Sequence, residues 1–184
     1  MIGQTCRRAS ESLLERERGL FMQRDMMLGS GRVQTKVYSD GNSTNGAGSA
    51  KILVVDDEPG YRLMLQYILE EESGHGYTVS LAEDGKEAIH CLGEEEFDLI
   101  ISDVYMPVMN GIRLHRTLRE IPKYENLPFL FVSGYDDQYT IAAVKNPKIE
   151  GFMRKGSPSK KLIEWVAYLT APEDEKPSWP PVAT

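Results

Sequence analysis

Cysteine is scarce in this sequence: Cys6 and Cys91 are the two in 184 residues. Two cysteines cannot build a disulfide framework or a zinc site, and such scarcity suits a reducing cytosol. Long apolar runs are missing as well. None approaches the roughly 18 residues that a membrane span needs, and the N-terminus lacks the apolar core of an export signal. Basic residues are outnumbered, 21 against 28 acidic, for a net charge of −7. That balance excludes nucleic acid as the default partner. A cytoplasmic protein with no membrane insertion is expected.

What is present fits one ordinary domain with extensions. Charged residues make up 27% and the hydrophobic set 41%, the balance of a globular protein. The acidity is unevenly spread: residues 1–50 carry a charge of +2 and residues 51–184 carry −9. The boundary coincides with Ser39 to Ala50, a stretch of Gly, Ala, Ser, Thr, Asn and Asp alone. Such residues bury too little apolar surface to offset chain ordering, so residues 39–50 read as a flexible linker. Before it, residues 1–38 form an N-terminal extension. Ser12 and Glu15 make a capping-box pattern that opens a short helix over about 12–28. Residues 171–184 hold four prolines and read as an extended, mobile tail.

The domain between them, residues 51–170, is regular. Ile52-Leu53-Val54-Val55 is continuously apolar and β-branched, as in a strand buried on both faces. Pro59 fits the first turn of a helix running to about Glu72, with Glu70-Glu71-Glu72 as its solvated end. Further strands are expected at Tyr77 to Leu81, Leu99 to Ile101, Phe129 to Val132 and Ile149 to Met153. Helices are expected after Asp84 as cap, over about 112–119, more weakly over 137–145, and over 158–170. Strands alternating with helices through short connections imply an α/β fold, a parallel sheet covered on both faces.

In such a sheet, ligands sit beyond the carboxyl ends of the strands. Those ends carry Asp56-Asp57, Asp103, Ser133 and Lys155. Three carboxylates in one place repel unless a cation neutralises them. An all-oxygen set of that kind suits Mg²⁺, which completes its shell with water and phosphate oxygens. Lys155 is a point charge for phosphate, Ser133 offers a hydroxyl donor, and a carboxylate can itself be the nucleophile that forms an aspartyl-phosphate. Each residue alone reads as a turn, cap or solvated charge; all of them together, at successive strand ends, describe a Mg²⁺-dependent phosphoryl acceptor. His75, His90 and His115 show no ligand spacing and read as surface or helix residues.

The stretches KILVVDDEP (51–59), DLIISDVYMPVMNG (98–111), LFVSGY (130–135) and GFMRKG (151–156) resemble the response regulator receiver domain of two-component signalling, in its chemotaxis-regulator-like form. The resemblance implies a flavodoxin-like, doubly wound, five-stranded parallel sheet of order 2-1-3-4-5 with five helices. It implies Asp103 as phosphoacceptor, and Asp56, Asp57, Asp103 and the backbone carbonyl of Tyr105 as Mg²⁺ ligands. Ser133 becomes the switch hydroxyl, Phe152 the switch aromatic and Lys155 the phosphate-binding lysine. Gly111 matches the loop after the acceptor, where glycine suits a backbone conformation that other residues disfavour. The family commonly places a cis proline after the lysine; Gly156 stands there instead, so a trans or mobile loop is expected.

The implied function is a single-domain response regulator. A sensor histidine kinase or histidine phosphotransfer protein supplies the phosphoryl group, and a downstream protein reads the altered surface. Enzymatic activity is confined to self-phosphotransfer and autodephosphorylation, and Tyr105 and Tyr135, flanking the site, shield a long-lived phosphorylated state. Three other readings use the same residues: a phosphorylation-independent interaction module on the receiver fold, a receiver fragment of a longer signalling protein, and a Mg²⁺-dependent phosphohydrolase. The last typically spaces its two acids two residues apart, whereas Asp56 and Asp57 are adjacent.

Overall fold

The computed structural model describes residues 50–135, 142–176 and 181. Five strands form one sheet: β1 (Lys51–Val55), β2 (Thr78–Ala82), β3 (Leu99–Asp103), β4 (Phe129–Ser133) and β5 (Glu150–Arg154). The order is β2-β1-β3-β4-β5 and every pairing is parallel. The helices described are α1 (Pro59–Tyr67), α2 (Gly85–Glu94), α3 (Gly111–Arg119) and α4 (Ser159–Thr170). The extension with its helix at 12–28 and most of the linker lie outside the described residues. So do residues 137–141 of the helix expected at 137–145; Ala142 and Ala143 are helical.

The strands are apolar along their length because both faces are covered. Alternation sends Ile52, Val54, Leu99, Ile101, Leu130 and Val132 into one cluster, with Leu65 of α1 and Trp165 and Val166 of α4. The intervening Leu53, Val55, Ile100, Phe129 and Phe131 meet Leu92 of α2 and Leu114 and Leu118 of α3. Leu53, Phe129 and Phe131 are fully buried, each contributing about 1.5–3 kcal/mol of transfer free energy. β5 admits no side chain at Gly151, where a Cβ would lie 2.5 Å from the Trp165 ring.

Helix starts follow the expected chemistry. Pro59 opens α1. Asp84 accepts hydrogen bonds from the amides of Lys86 and Glu87 at 2.6 and 3.0 Å, and Asn110 caps α3 through the Arg113 amide at 2.8 Å. The end of the first helix departs from expectation. After Tyr67 the chain widens into a π-helical turn, Ile68–Glu72. That turn keeps Leu69 fully buried and lets Glu70 accept the Val79 amide of the edge strand β2 at 2.9 Å. Glu70 is therefore engaged rather than merely solvated. Residues 171–176 turn back on the domain: the Glu175 amide donates to the Pro172 carbonyl at 3.0 Å, and Lys176 Nζ donates to the Lys148 carbonyl at 2.7 Å.

A buried polar cluster ties α3 to the start of β5. Glu150, 3% exposed, accepts from His115 Nε2 at 2.7 Å, Arg119 Nε at 2.9 Å and the amides of Lys145 and Asn146 at 2.7 and 3.0 Å. His115 lies on a helix as expected, and is buried at 7% exposed. Burial works to raise the Glu150 carboxyl, but the hydrogen bonds from His115, the two amides and Arg119 win and hold it well below the usual carboxylate range. A group depressed in the folded state adds stability that is complete above its unfolded value of 4.5 and drains away as pH falls below it. Glu150→Gln is expected to cost about 2 kcal/mol at pH 7. It should also flatten the loss of stability below that value, as read by urea unfolding at pH 7 and in acid.

Candidate functional site

The strand order reverses between β1 and β3: from β1 the chain moves outward to β2, then crosses back to β3 on the other side. Helices leaving in opposite directions open a crevice there, beyond the carboxyl ends of the two strands. Asp56 and Asp57 follow β1 and Asp103 ends β3, so topology alone brings them together. Carboxylate oxygens of all three lie within 4.8 Å of one another. Asp56 is 1% exposed and Asp103 7%, while Asp57 is open to solvent.

Lys155, just past β5, reaches this crevice. Its ammonium is 2.6 Å from Asp56 Oδ2 and 2.6 Å from Asp103 Oδ2. The contact to Asp103 is an aligned hydrogen bond. The contact to Asp56 Oδ2 is an equally short ion pair, so the ammonium bridges the two buried carboxylates. Asp56 Oδ1 accepts the Glu58 amide at 2.9 Å, and Asp103 Oδ1 accepts the Tyr105 amide at 3.2 Å. Burial pushes the Asp56 carboxyl above the usual carboxylate range, with Lys155 and the Glu58 amide offsetting part of the rise. Burial opposes the charge on Lys155, but Asp103 and Asp56 outweigh it and hold the ammonium firmly protonated. Three carboxylates within 4.8 Å of one another face a single ammonium, and the negative charge left over is what a divalent cation would neutralise. The residues fit a hard metal ion.

Ser133 ends β4, fully buried. Its hydroxyl accepts the Tyr135 amide at 3.2 Å and its carbonyl accepts the Lys155 amide at 2.7 Å, so β4 and the lysine loop are joined next to Asp103. Phe152 lies opposite Phe131 in the β4–β5 register, half-buried against the α2–α3 cluster. Tyr105 and Tyr135 meet edge to face with centroids 5.9 Å apart, both largely exposed at 51% and 71%.

Comparison with known proteins agrees with this geometry. A family model described as the response regulator receiver domain matches residues 52–167. The chain belongs to the response regulator receiver domain family. It is 36% identical over 115 residues to an uncharacterised 14.6 kDa protein of Leptolyngbya boryana, a span of 62% of this chain and 86% of that one. It is 30% identical over 118 residues to the CAI-1 autoinducer sensor kinase/phosphatase CqsS of Vibrio cholerae, a span of 64% of this chain but 17% of CqsS. The receiver domain of a signal transduction histidine kinase from Syntrophus aciditrophicus superposes with a TM-score of 0.61 at 30% identity, covering 71% of this chain and 96% of that one. Among the described residues of this receiver, no helix is long and apolar enough to cross a membrane.

One detail of the loop after Asp103 differs from expectation. The unusual backbone conformation belongs to Val108, with φ of +64°, and not to Gly111. Glycine is required at 111 by proximity: a Cβ there would sit 2.1 Å from the Asp103 carbonyl oxygen and 2.9 Å from Ser102 Oγ. Gly156 adopts φ of +82°, closed to proline, and no described peptide bond is cis. The expected trans loop is present, and Lys155 nonetheless reaches Asp103.

Sequence reasoning missed three contributors. Ser102 is buried and its hydroxyl holds the Asp103 carbonyl at 2.8 Å. Arg62 donates to the Asp56 carbonyl. Tyr61 sets its ring 4.5 Å from Lys155 Nζ, and burial keeps its phenol neutral, pushed up to about 12. Tyr61 and Arg62 lie in the first turn of α1, where an aromatic reads as core and an arginine as surface. Gly111→Ala is expected to cost about 2 kcal/mol through overpacking and to displace the Asp103 loop. Chemical denaturation and backbone amide shifts of residues 102–111 measure both effects.

Proposed function

We propose that this receiver accepts a phosphoryl group on Asp103 from the phosphohistidine of a sensor histidine kinase or histidine phosphotransfer protein. Mg²⁺ would be held by Asp56, Asp57, Asp103 and the backbone carbonyl of Tyr105. The observation that carries this reading is the convergence at one crevice of Asp103, Asp56 and the Lys155 ammonium, 2.6 Å from each carboxylate. An interaction module indifferent to phosphate has no use for three carboxylates crowded around one ammonium. A phosphohydrolase is disfavoured by the adjacency of Asp56 and Asp57.

The chemistry asked of the chain is positioning and charge stabilisation. A carboxylate oxygen of Asp103 attacks phosphorus in line, a P–O bond forms, and the P–N bond breaks with its electron pair passing to the imidazole. Bound Mg²⁺ supplies neutralisation of charge on the phosphoryl oxygens. Lys155 already hydrogen-bonds Asp103 Oδ2, so a short movement brings its ammonium to a phosphoryl oxygen. Ser133 turns its hydroxyl to donate to another, giving up the Tyr135 amide it now accepts. Because the Lys155 amide is bonded to the Ser133 carbonyl, the two shift together. Phe152, half-buried beside β4, then turns further inward and reshapes the surface made by β5 and α4.

That surface signals by contact with a downstream protein in the cytoplasm. The chain's own catalysis is limited to accepting and hydrolysing the acyl phosphate. Incubated with Mg²⁺ and a small phosphodonor, the wild type is expected to acquire one acid-stable, hydroxylamine-sensitive phosphate, and Asp103→Asn none. Absence of that phosphate on the wild type would falsify the phosphoacceptor reading. The Tyr105–Tyr135 pair limits water access to the acyl phosphate, so the phosphorylated state should last minutes or longer. Replacing both tyrosines by alanine should shorten it several-fold; an unchanged decay rate removes the shielding role.

A further inference from the structure

We propose that Tyr61 is the positioning residue for the phosphate-binding ammonium: its ring face aims Lys155, a task that the turn at Gly156 leaves undone. The inference rests on the phosphoacceptor reading above. The problem to be solved is visible in the backbone. Gly156 has φ of +82°, and a Cβ at that position would meet no atom within 4 Å. The turn after Lys155 therefore packs against nothing at this point, and glycine restricts its own backbone least of all residues. The main-chain bond from the Lys155 amide to the Ser133 carbonyl, 2.7 Å, anchors the root of the side chain. It leaves four side-chain torsions free.

At the tip, three groups hold the ammonium: Asp56, Asp103 and the Tyr61 ring, whose centroid is 4.5 Å from Nζ. The distance is within the range for attraction between a cation and the ring quadrupole. The two carboxylates are poor permanent anchors, since a metal ion competes for them and phosphorylation converts Asp103 to an acyl phosphate. The ring carries no charge for a cation to claim and is not consumed by the reaction. It is fixed in the first turn of α1 (Pro59–Tyr67) and packs against the core cluster beneath the sheet. The Lys155 side chain is 19% exposed, so the attraction acts in a partly water-excluded site, where it is strongest.

The test separates the ring's electrostatics from its bulk. Tyr61→Phe retains the face, Tyr61→Leu removes it, and pentafluorophenylalanine at position 61 keeps the shape while reversing the quadrupole. Phosphorylation is followed with acetyl phosphate and Mg²⁺. Tyr61→Phe should match the wild type; Tyr61→Leu and the fluorinated ring should each be slower by about tenfold, a decade in rate being about 1.4 kcal/mol of barrier. In parallel, the ε-methylene protons of Lys155 should show an upfield ring-current shift in the wild type and Tyr61→Phe, lost in Tyr61→Leu. Rates for the fluorinated ring equal to wild type, or a wild-type Lys155 without a ring-current shift, overturns the proposal, and the latter holds even if Tyr61→Leu does not fold. If the wild type shows the ring-current shift yet takes up no phosphate, the phosphoacceptor reading fails and the proposed role goes with it, while the contact stands.

Discussion

An ammonium from beyond β5 sits between a carboxylate from beyond β1 and another at the end of β3, and most of this receiver's architecture serves that contact. A lysine and two aspartates largely removed from water are costly unless each charge is compensated. Here the compensation is mutual but incomplete: one ammonium faces three carboxylates, those of Asp56, Asp57 and Asp103. The fold thus stores an unmet demand for positive charge at the point where the strand order reverses. That is the condition under which a metal ion becomes a favourable addition rather than an intrusion.

The carboxylate at the end of β3 is held with comparable economy. Asp103 takes an amide on one oxygen and the ammonium on the other, and its carbonyl is fixed by the Ser102 hydroxyl. The helix that follows approaches so closely that residue 111 can have no side chain. The loop between them accepts a left-handed Val108, a conformation that costs a β-branched residue about 1–2 kcal/mol. Its neighbours over-determine the path: the Gly111 amide bonds to Val104, and the Met109 carbonyl accepts from Gly85. Strain at the acceptor loop is maintained by contacts from two helices.

The opposite end of the sheet has its own polar anchor. Glu150, His115 and Arg119 hold the start of β5 against α3, and the same carboxylate takes the amides of Lys145 and Asn146. β5 is therefore pinned at its start and joined to β4 at its end through Ser133 and the lysine loop. Phe152 lies between those two fixed points. An element clamped at both ends and carrying a half-buried aromatic in its middle is suited to two discrete arrangements rather than gradual bending.

Much of this was legible in the sequence, and the reason is that local chemistry repeats at each strand. Continuous apolar runs ending in an acid or a serine mark strands buried on both faces, and Pro59 and Asp84 mark helix starts by the backbone groups they spare or satisfy. The π-helical turn at Ile68–Glu72, the burial of His115 and the reason for Gly111 were not legible. Each depends on a partner distant in the chain: Val79 for Glu70, Glu150 for His115 and the Asp103 carbonyl for Gly111. The sequence by itself determined which residues end the strands and hence which chemistry is possible. Tertiary structure alone decided that Lys155 reaches Asp103 across 52 positions of chain without a proline to direct it, and that the Tyr61 ring lies against its ammonium. Periodicity reports which face a residue presents, whereas distances between faces exist only once the sheet has closed around its helices.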